Sequence, residues 1–277
     1  MTIQVNNLPL QEFKFPGGEC NIRLNGIVIG PTAKVTAHLY NSDDVMELLL
    51  AINAVRVKNP DTMIDLTIPY FPYARQDRVC SDGEAFSAAV MAKLVNDLHC
   101  HKVRVFDPHS EVTVTLLDEC EVVSQADILC GSDVENLVKN ENLIIVAPDA
   151  GAAKKTQAVV AAFAHKGVTV ESRFCSKIRD PKTGEITKTV APDDITHKKL
   201  LLIDDICDGG RTFIELAKLL KQNGAAELYL YVTHGIYSKG LDVLRPYFKH
   251  VFCWHTFLKQ ADQDPQFLTI MEKNHVY

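Results

Sequence analysis

Leu200-Leu201-Leu202-Ile203-Asp204-Asp205-Ile206-Cys207-Asp208-Gly209-Gly210-Arg211-Thr212 joins an apolar run, paired carboxylates and two glycines in one short segment. Four apolar residues run straight into two adjacent carboxylates, and a glycine pair then opens an amphipathic segment, Thr212–Asn223, stopped by Gly224. A continuous apolar run is what a strand needs when helices cover both faces of its sheet. Glycines let backbone N–H groups wrap an anion, and the helix N-terminus adds partial positive charge. Asp204 and Asp205 suit the vicinal hydroxyls of a ribose, or a metal bound to them. Thr212 can cap the helix or donate to a phosphate. The plain alternative, an acidic strand–turn–helix connection, explains Asp-Asp alone but not the whole pattern.

The same rhythm extends in both directions. Ile64–Tyr70, Lys102–Phe106, Leu143–Ala147, Val168–Arg173, Lys199–Ile203 and Leu228–Val232 read as strands. Asp43–Val57, Ala85–Leu98, Ala152–His165 and Thr212–Asn223 read as helices between them. Alternating strands and helices predict an α/β fold with mostly parallel sheets flanked by helices. Polar and small residues at Ser124–Ser132 separate two sets of elements. Two domains are expected, residues 1–126 and 127–260, and 261–277 either returns to the first or forms an edge. Ligands of such sheets bind beyond the carboxyl ends of the strands.

The chain has 277 residues, and 29 Lys+Arg against 35 Asp+Glu give a net charge of −6. Carboxylate excess argues against a general nucleic-acid or anionic-membrane binder, but not against a small phosphorylated substrate held by local cations and a metal. No apolar run approaches the roughly 20 residues that span a bilayer, and the N-terminus shows no leader pattern. A cytoplasmic protein is expected. Its eight cysteines form no CxxC pair, so free thiols are expected rather than zinc or disulfides.

Other loops carry chemistry of their own. Arg75, Gln76 and Arg78 follow a strand and suit a triphosphate and the edge of a base. Asp107, His109 and Glu111 follow another. His109 and Asp149 are metal candidates, although Mg²⁺ prefers oxygen and keeps waters. Lys177 and Arg179 stand in the polar stretch Ser176–His197, which reads as a mobile loop or hairpin flap.

Taken together these segments resemble the ribose-phosphate pyrophosphokinases, the PRPP synthetases. Phe15-Pro16-Gly17-Gly18-Glu19 is similar to that family's Phe-x-x-Gly-Glu segment, with Gly17 where Asp is usual. Ile68–Arg78 resembles its nucleotide-binding signature, Asp107–Glu111 its Asp-x-His-x-Glu loop, Pro148–Gly151 its Pro-Asp-x-Gly loop, and Lys177–Arg179 its mobile catalytic loop. Thr233-His234 sits where the family has Thr-His after a strand. The resemblance implies two tandem type I phosphoribosyltransferase-like domains. It implies an Mg²⁺-dependent transfer of the β,γ-pyrophosphoryl group of ATP to the C1 hydroxyl of ribose 5-phosphate, giving PRPP and AMP. ATP would be held by Phe15, Glu19, Arg75, Gln76, Arg78 and His109. The sugar phosphate would be held by Asp204, Asp205, Asp208, Gly209, Gly210, Arg211 and Thr212. Lys177, Arg179 and His109 would be catalytic, with His109 and Asp149 at the metal; no general base stands out. A homo-oligomer, dimer or hexamer, serving nucleotide synthesis is expected.

The family's loop is usually Asp-Thr-Gly-Gly-Thr, so a threonine hydroxyl is missing and Arg211 is added. That swap opens the alternative of a 5-substituted acceptor such as ADP-ribose, which would point to NAD synthesis. A PRPP-using phosphoribosyltransferase and an inactive regulatory homologue are the remaining alternatives.

Overall fold

Residues 2–179 and 186–272 are described by the structure, a computed structural model. They divide into two units, the first ending at Val123 and the second beginning at Ser124.

The first unit opens with short strands, β1 (Ile3–Val5), β2 (Leu8–Pro9), β3 (Gln11–Lys14) and β4 (Cys20–Arg23). It continues with β5 (Thr32–Ala37), α1 (Ser42–Lys58), β6 (Met63–Ile68), α2 (Ser87–Asn96), β7 (Lys102–Phe106), α3 (Glu111–Leu116) and β8 (Cys120–Val123). The sheet order is β2-β1-β5-β6-β7-β8, and β3 with β4 forms a separate hairpin. The four strands β5 to β8 are parallel, while β1 runs antiparallel to both of its neighbours. Asn41 starts α1 with a full capping box: its side chain accepts from Asp43 and Asp44, and Asp44 accepts from the Asn41 N–H. Three otherwise orphaned N–H groups, those of Asn41, Asp43 and Asp44, are thereby satisfied.

The second unit holds α4 (Gln125–Leu129), α5 (Asp133–Glu141), β9 (Ile144–Ala147), α6 (Ala150–His165), β10 (Ser172–Phe174), β11 (Ser176–Arg179) and β12 (Ile186–Val190). Then come β13 (Lys199–Cys207), α7 (Arg211–Gln222), β14 (Glu227–Gly235), β15 (His250–Thr256) and β16 (Leu268–Ile270). Its sheet, β10-β9-β13-β14-β15-β16, is parallel throughout. Successive residues of β13 enter different cores: Leu200 and Leu202 pack with Leu230, Val251 and Phe213, while Leu201 and Ile203 pack with Tyr229, Val159 and Phe163. This two-sided burial is why the strand reads as an unbroken apolar run.

Several boundaries differ from the sequence reading. The polar stretch after Val123 is no spacer: Ser124 and Asp127 form a capping box that starts α4, and Leu129 is fully buried in the second unit. The strand expected at Val168–Arg173 is Ser172–Phe174 instead, because Gly167 and Val168 close α6 by donating to Ala164 and Phe163. A left-handed Gly167 permits that closure. The run from Ile64 stops at Ile68, before Pro69, which lacks an N–H for the ladder. Residues 268–270, in the segment whose placement stood open, form the β16 edge of the second sheet. No described helix is long and apolar enough to cross a membrane.

Candidate active site

The acidic stretch folds as a nine-residue strand, β13, feeding α7. β9 accompanies β13 only as far as Leu202, whereas β14 follows it to Cys207. Asp204 and Asp205 therefore stand where the sheet has lost one neighbour. Asp205 is buried and Asp204 half-buried, and the Asp205 N–H donates to the Asp204 carboxylate at 3.0 Å. Burial, and next the charge of Asp205, push the Asp204 carboxyl well above the usual carboxylate range; Asp149 acts in the same sense. Such a site favours either protons or a compensating cation. Gly210 caps α7 in the left-handed conformation at φ 76°, which is open to glycine at no steric cost. It turns the chain so that the first N–H groups of α7 face the loop end.

Three further residues, Gln125, Ile236 and Tyr237, hold this loop, and sequence reasoning passed over all of them. The Gln125 side-chain amide donates to the Asp204 carbonyl at 2.8 Å and to the Thr233 hydroxyl at 3.3 Å. Gln125 is only 3% exposed. Ser124-x-x-Asp127 was a readable helix-start signal; nothing in it announced a buried amide. The N–H groups of Ile236 and Tyr237 both donate to the Cys207 carbonyl. The Tyr237 ring lies over Gly235, where any Cβ would overlap it. Burial drives the Cys207 thiol up to about 12, so it is an inert packing group rather than a nucleophile. Thr233 and His234 lie inside β14, not after a strand, and both are buried.

The remaining expected residues fall unevenly. Asp149 caps α6, accepting from the N–H groups of Gly151 at 2.9 Å and Ala152 at 3.1 Å. Arg211 opens α7, and its guanidinium turns outward to Glu215 at 2.8 Å with its side chain 90% exposed. Asp208 and Gly209 are half-buried, and Thr212 is exposed. Lys177 and Arg179 lie on β11, paired antiparallel with β12; the positions of their side chains lie outside the described part of the structure. The expected hairpin is thus present in backbone, with residues 180–185 also outside the described residues.

In the first unit, Arg75, Gln76 and Arg78 lie in the loop after β6, all exposed. Tyr73 enters this loop with φ 62°, anchored by its hydroxyl to Ser42 at 3.0 Å. The Gln76 carbonyl accepts from the Ala88 N–H at 3.2 Å. Asp107, His109 and Glu111 follow β7. Asp107 is buried, with φ 38° and its N–H on the Val123 carbonyl, whereas His109 and Glu111 are exposed. Phe15 and Glu19 close the β3–β4 turn, with the Phe15 N–H on the Glu19 carbonyl at 2.8 Å. Phe15 is 47% exposed.

Residues 1–98 match the model of the N-terminal domain of ribose phosphate pyrophosphokinase, and residues 125–264 match the phosphoribosyl transferase domain. A ribose-phosphate pyrophosphokinase of Thermococcus kodakarensis is 30% identical over 230 residues, covering 82% of this chain and 78% of that one. The chain belongs to the ribose-phosphate pyrophosphokinase family. The pyrophosphokinase of Cereibacter sphaeroides is 31% identical over 214 residues; the match covers 76% of this chain and 60% of that one. A phosphoribosylpyrophosphate synthetase from Mycobacterium smegmatis has the same fold, with a TM-score of 0.78 at 22% identity over 95% of this chain and 85% of that one. The match to the transferase domain spans the acidic end of β13 and the glycine turn that follows it.

Proposed function

We infer that this chain is an ATP-dependent diphosphotransferase. It moves the β,γ-pyrophosphoryl group of ATP to the anomeric C1 hydroxyl of ribose 5-phosphate, giving PRPP and AMP. The observation that carries this reading is the acidic end of β13 opening through Gly209-Gly210 into α7, in a chain whose N-terminal 98 residues match the pyrophosphokinase domain. A phosphoribosyltransferase that only consumes PRPP would leave that N-terminal match unexplained.

In this reading the first unit binds the nucleotide and the second binds the sugar phosphate. Arg75, Gln76 and Arg78 offer two guanidinium groups and an amide to ATP, with Phe15, Glu19 and His109 as further contacts. Asp204 and Asp205 accept from the ribose hydroxyls. Asp208, Gly209, Gly210 and Thr212 surround the phosphate at the N-terminus of α7. Positioning and charge neutralisation carry phosphoryl transfer, because the protein has little covalent chemistry to perform. Lys177 and Arg179 on the β11–β12 hairpin are the catalytic cations of this scheme, stabilising charge on the transferring phosphates.

The donor set suits a hard divalent cation. Asp204 is held up by its own burial and by the charges of Asp205 and Asp149, and oxygen-rich acidic surroundings are what Mg²⁺ takes. Asp149, beside Asp204 in the second unit, is one proposed ligand and His109, in the first unit, is a separate candidate; Mg²⁺ when bound would supply neutralisation of the phosphate charge. Eight free thiols suit a cytoplasmic enzyme, and the exposed Phe15 turn suits burial by a second copy in a homo-oligomer.

The alternative acceptor, ADP-ribose, was suggested by Arg211. Its guanidinium is engaged with Glu215 and faces solvent, so ribose 5-phosphate is the better supported substrate. Mass spectrometry of products from ATP, Mg²⁺ and each acceptor tests this. AMP with PRPP is expected from ribose 5-phosphate; product from ADP-ribose alone would overturn the choice.

A further inference from the structure

We propose that Lys239 is a phosphate-binding residue of the sugar-phosphate loop, supplying the side-chain cation that Arg211 does not. The inference rests on the functional reading above. Lys239 lies just beyond β14, in a tight turn set by Tyr237 at φ 49° and Gly240 at φ 72°, with the Gly240 N–H on the Tyr237 carbonyl at 2.8 Å. That turn is tied to the loop itself, because Ile236 and Tyr237 donate to the Cys207 carbonyl at 2.9 and 3.1 Å. The consequence is local and specific. The Cγ, Cδ and Cε atoms of Lys239 each lie 3.8 Å from the point a Gly209 Cβ would occupy. The lysine stem is thus laid across the open face of Gly209, and its ammonium is one bond further on.

The loop has need of such a group. Gly209 and Gly210 carry no side-chain donor, and Arg211 is paired with Glu215 on the outer face of α7. Among the described residues Lys239 makes no ion pair, and it is exposed. The backbone N–H groups at the start of α7 and the helix dipole already favour an anion there. A compact, strongly hydrated ammonium on a flexible stem complements a phosphate monoester as a point charge. The 3.8 Å between the stem and the Gly209 Cβ position is ordinary van der Waals distance, so the stem packs on the loop without strain.

Lys239→Met tests the assignment, because it keeps the stem contact with Gly209 and removes only the charge. A hydrogen bond between charged groups is worth about 1.5–3 kcal/mol, equivalent to roughly ten- to hundred-fold. The KM for ribose 5-phosphate is expected to rise about ten-fold or more, with the KM for ATP unmoved, and Lys239→Arg should recover most of the loss. Inorganic phosphate, titrated calorimetrically into the wild-type chain and into Lys239→Met, should bind the variant more weakly by a similar factor. Equal phosphate affinity in the two proteins overturns the assignment, whatever the turnover. Absence of AMP release from the wild type with ribose 5-phosphate would instead overturn the functional reading, and the phosphate titration would still decide the role of Lys239.

Discussion

After β6 and β7 the first unit carries Arg75, Arg78 and His109, all exposed; after β9 and around the carboxyl end of β13 the second carries Asp149, Asp204, Asp205 and Asp208. The platforms are alike in their parallel strands, with the candidate loops at the strand ends, although the first sheet adds antiparallel β1 and β2 at one edge. The charges are opposite, and so is the degree of support. The acidic loop has a buried amide under Asp204 and two N–H groups on Cys207. The cationic loop after β6 is tied down at Tyr73 and at the Gln76 carbonyl. Buried acidic groups hold fixed positions at a cost in stability, whereas exposed cations act through local charge on a flexible ligand. Substitutions on the two sides should therefore differ in kind as well as in size.

Asp204→Asn is expected to have the largest effect. If Asp204 accepts from the ribose as proposed, loss of its carboxylate should lower kcat/KM by about a hundred-fold. The same substitution should stabilise the ligand-free protein. The folded-state affinity of Asp204 for its proton is raised by burial and by Asp205. Stability from such a group is complete below the ordinary carboxylate range and is lost as pH rises through the elevated folded-state value. Melting curves from about pH 5 to pH 9 should show the wild type falling behind Asp204→Asn as pH increases, by a few degrees, roughly the shift expected for 1 kcal/mol. Mg²⁺ should narrow the gap. A variant no more stable at high pH would show that the carboxylate pair carries no electrostatic strain.

Arg75→Ala probes the cationic loop of the first unit. Its side chain is exposed, so the melting temperature should hold at every pH. The KM for ATP should rise about ten-fold, the worth of one charge-assisted hydrogen bond, while the KM for ribose 5-phosphate stays within error. A parallel rise in both constants would break the division of labour between the units.

Gln125→Met removes the amide under Asp204 without opening a cavity. About 1 kcal/mol is at stake in such a neutral hydrogen bond, or roughly five-fold in the KM for ribose 5-phosphate. Amide hydrogen exchange across residues 200–207 should quicken in the same variant, and unchanged exchange would count against the brace. This residue also shows where the sequence stopped being readable. The strand-to-helix pattern of 200–212 was legible because a parallel strand buried on both faces must be continuously apolar and because glycine is needed at the turn. β15, His250–Thr256, was not, although all but its first residue are buried. Its histidines and tryptophan hide an inward-facing strand among polar letters. The short antiparallel strands β1 to β4 carry only two to four residues each, too few for a period to show. The support of Asp204 by Gln125 spans 79 positions, and no local pattern encodes a contact of that range.

Arg211→Ala should do least, although the sequence made Arg211 the most conspicuous residue of the loop. Reading along the chain, a guanidinium beside Gly209-Gly210 looks like a phosphate ligand. In three dimensions it occupies the first position of α7, where the helical spacing brings Glu215 one turn away, and the two pair at 2.8 Å. Exposed pairs of this kind contribute little, typically well under 1 kcal/mol. The KM for ribose 5-phosphate in Arg211→Ala is therefore expected to stay within about two-fold of wild type, with Glu215→Ala equally mild. A ten-fold rise in Arg211→Ala alone would mean that substrate pulls the guanidinium off Glu215 and into the loop. Glu215→Ala should then lower the same KM, because it would release Arg211 in advance. The two single variants measured side by side thus separate an arginine that serves the helix surface from one held in reserve for the sugar phosphate.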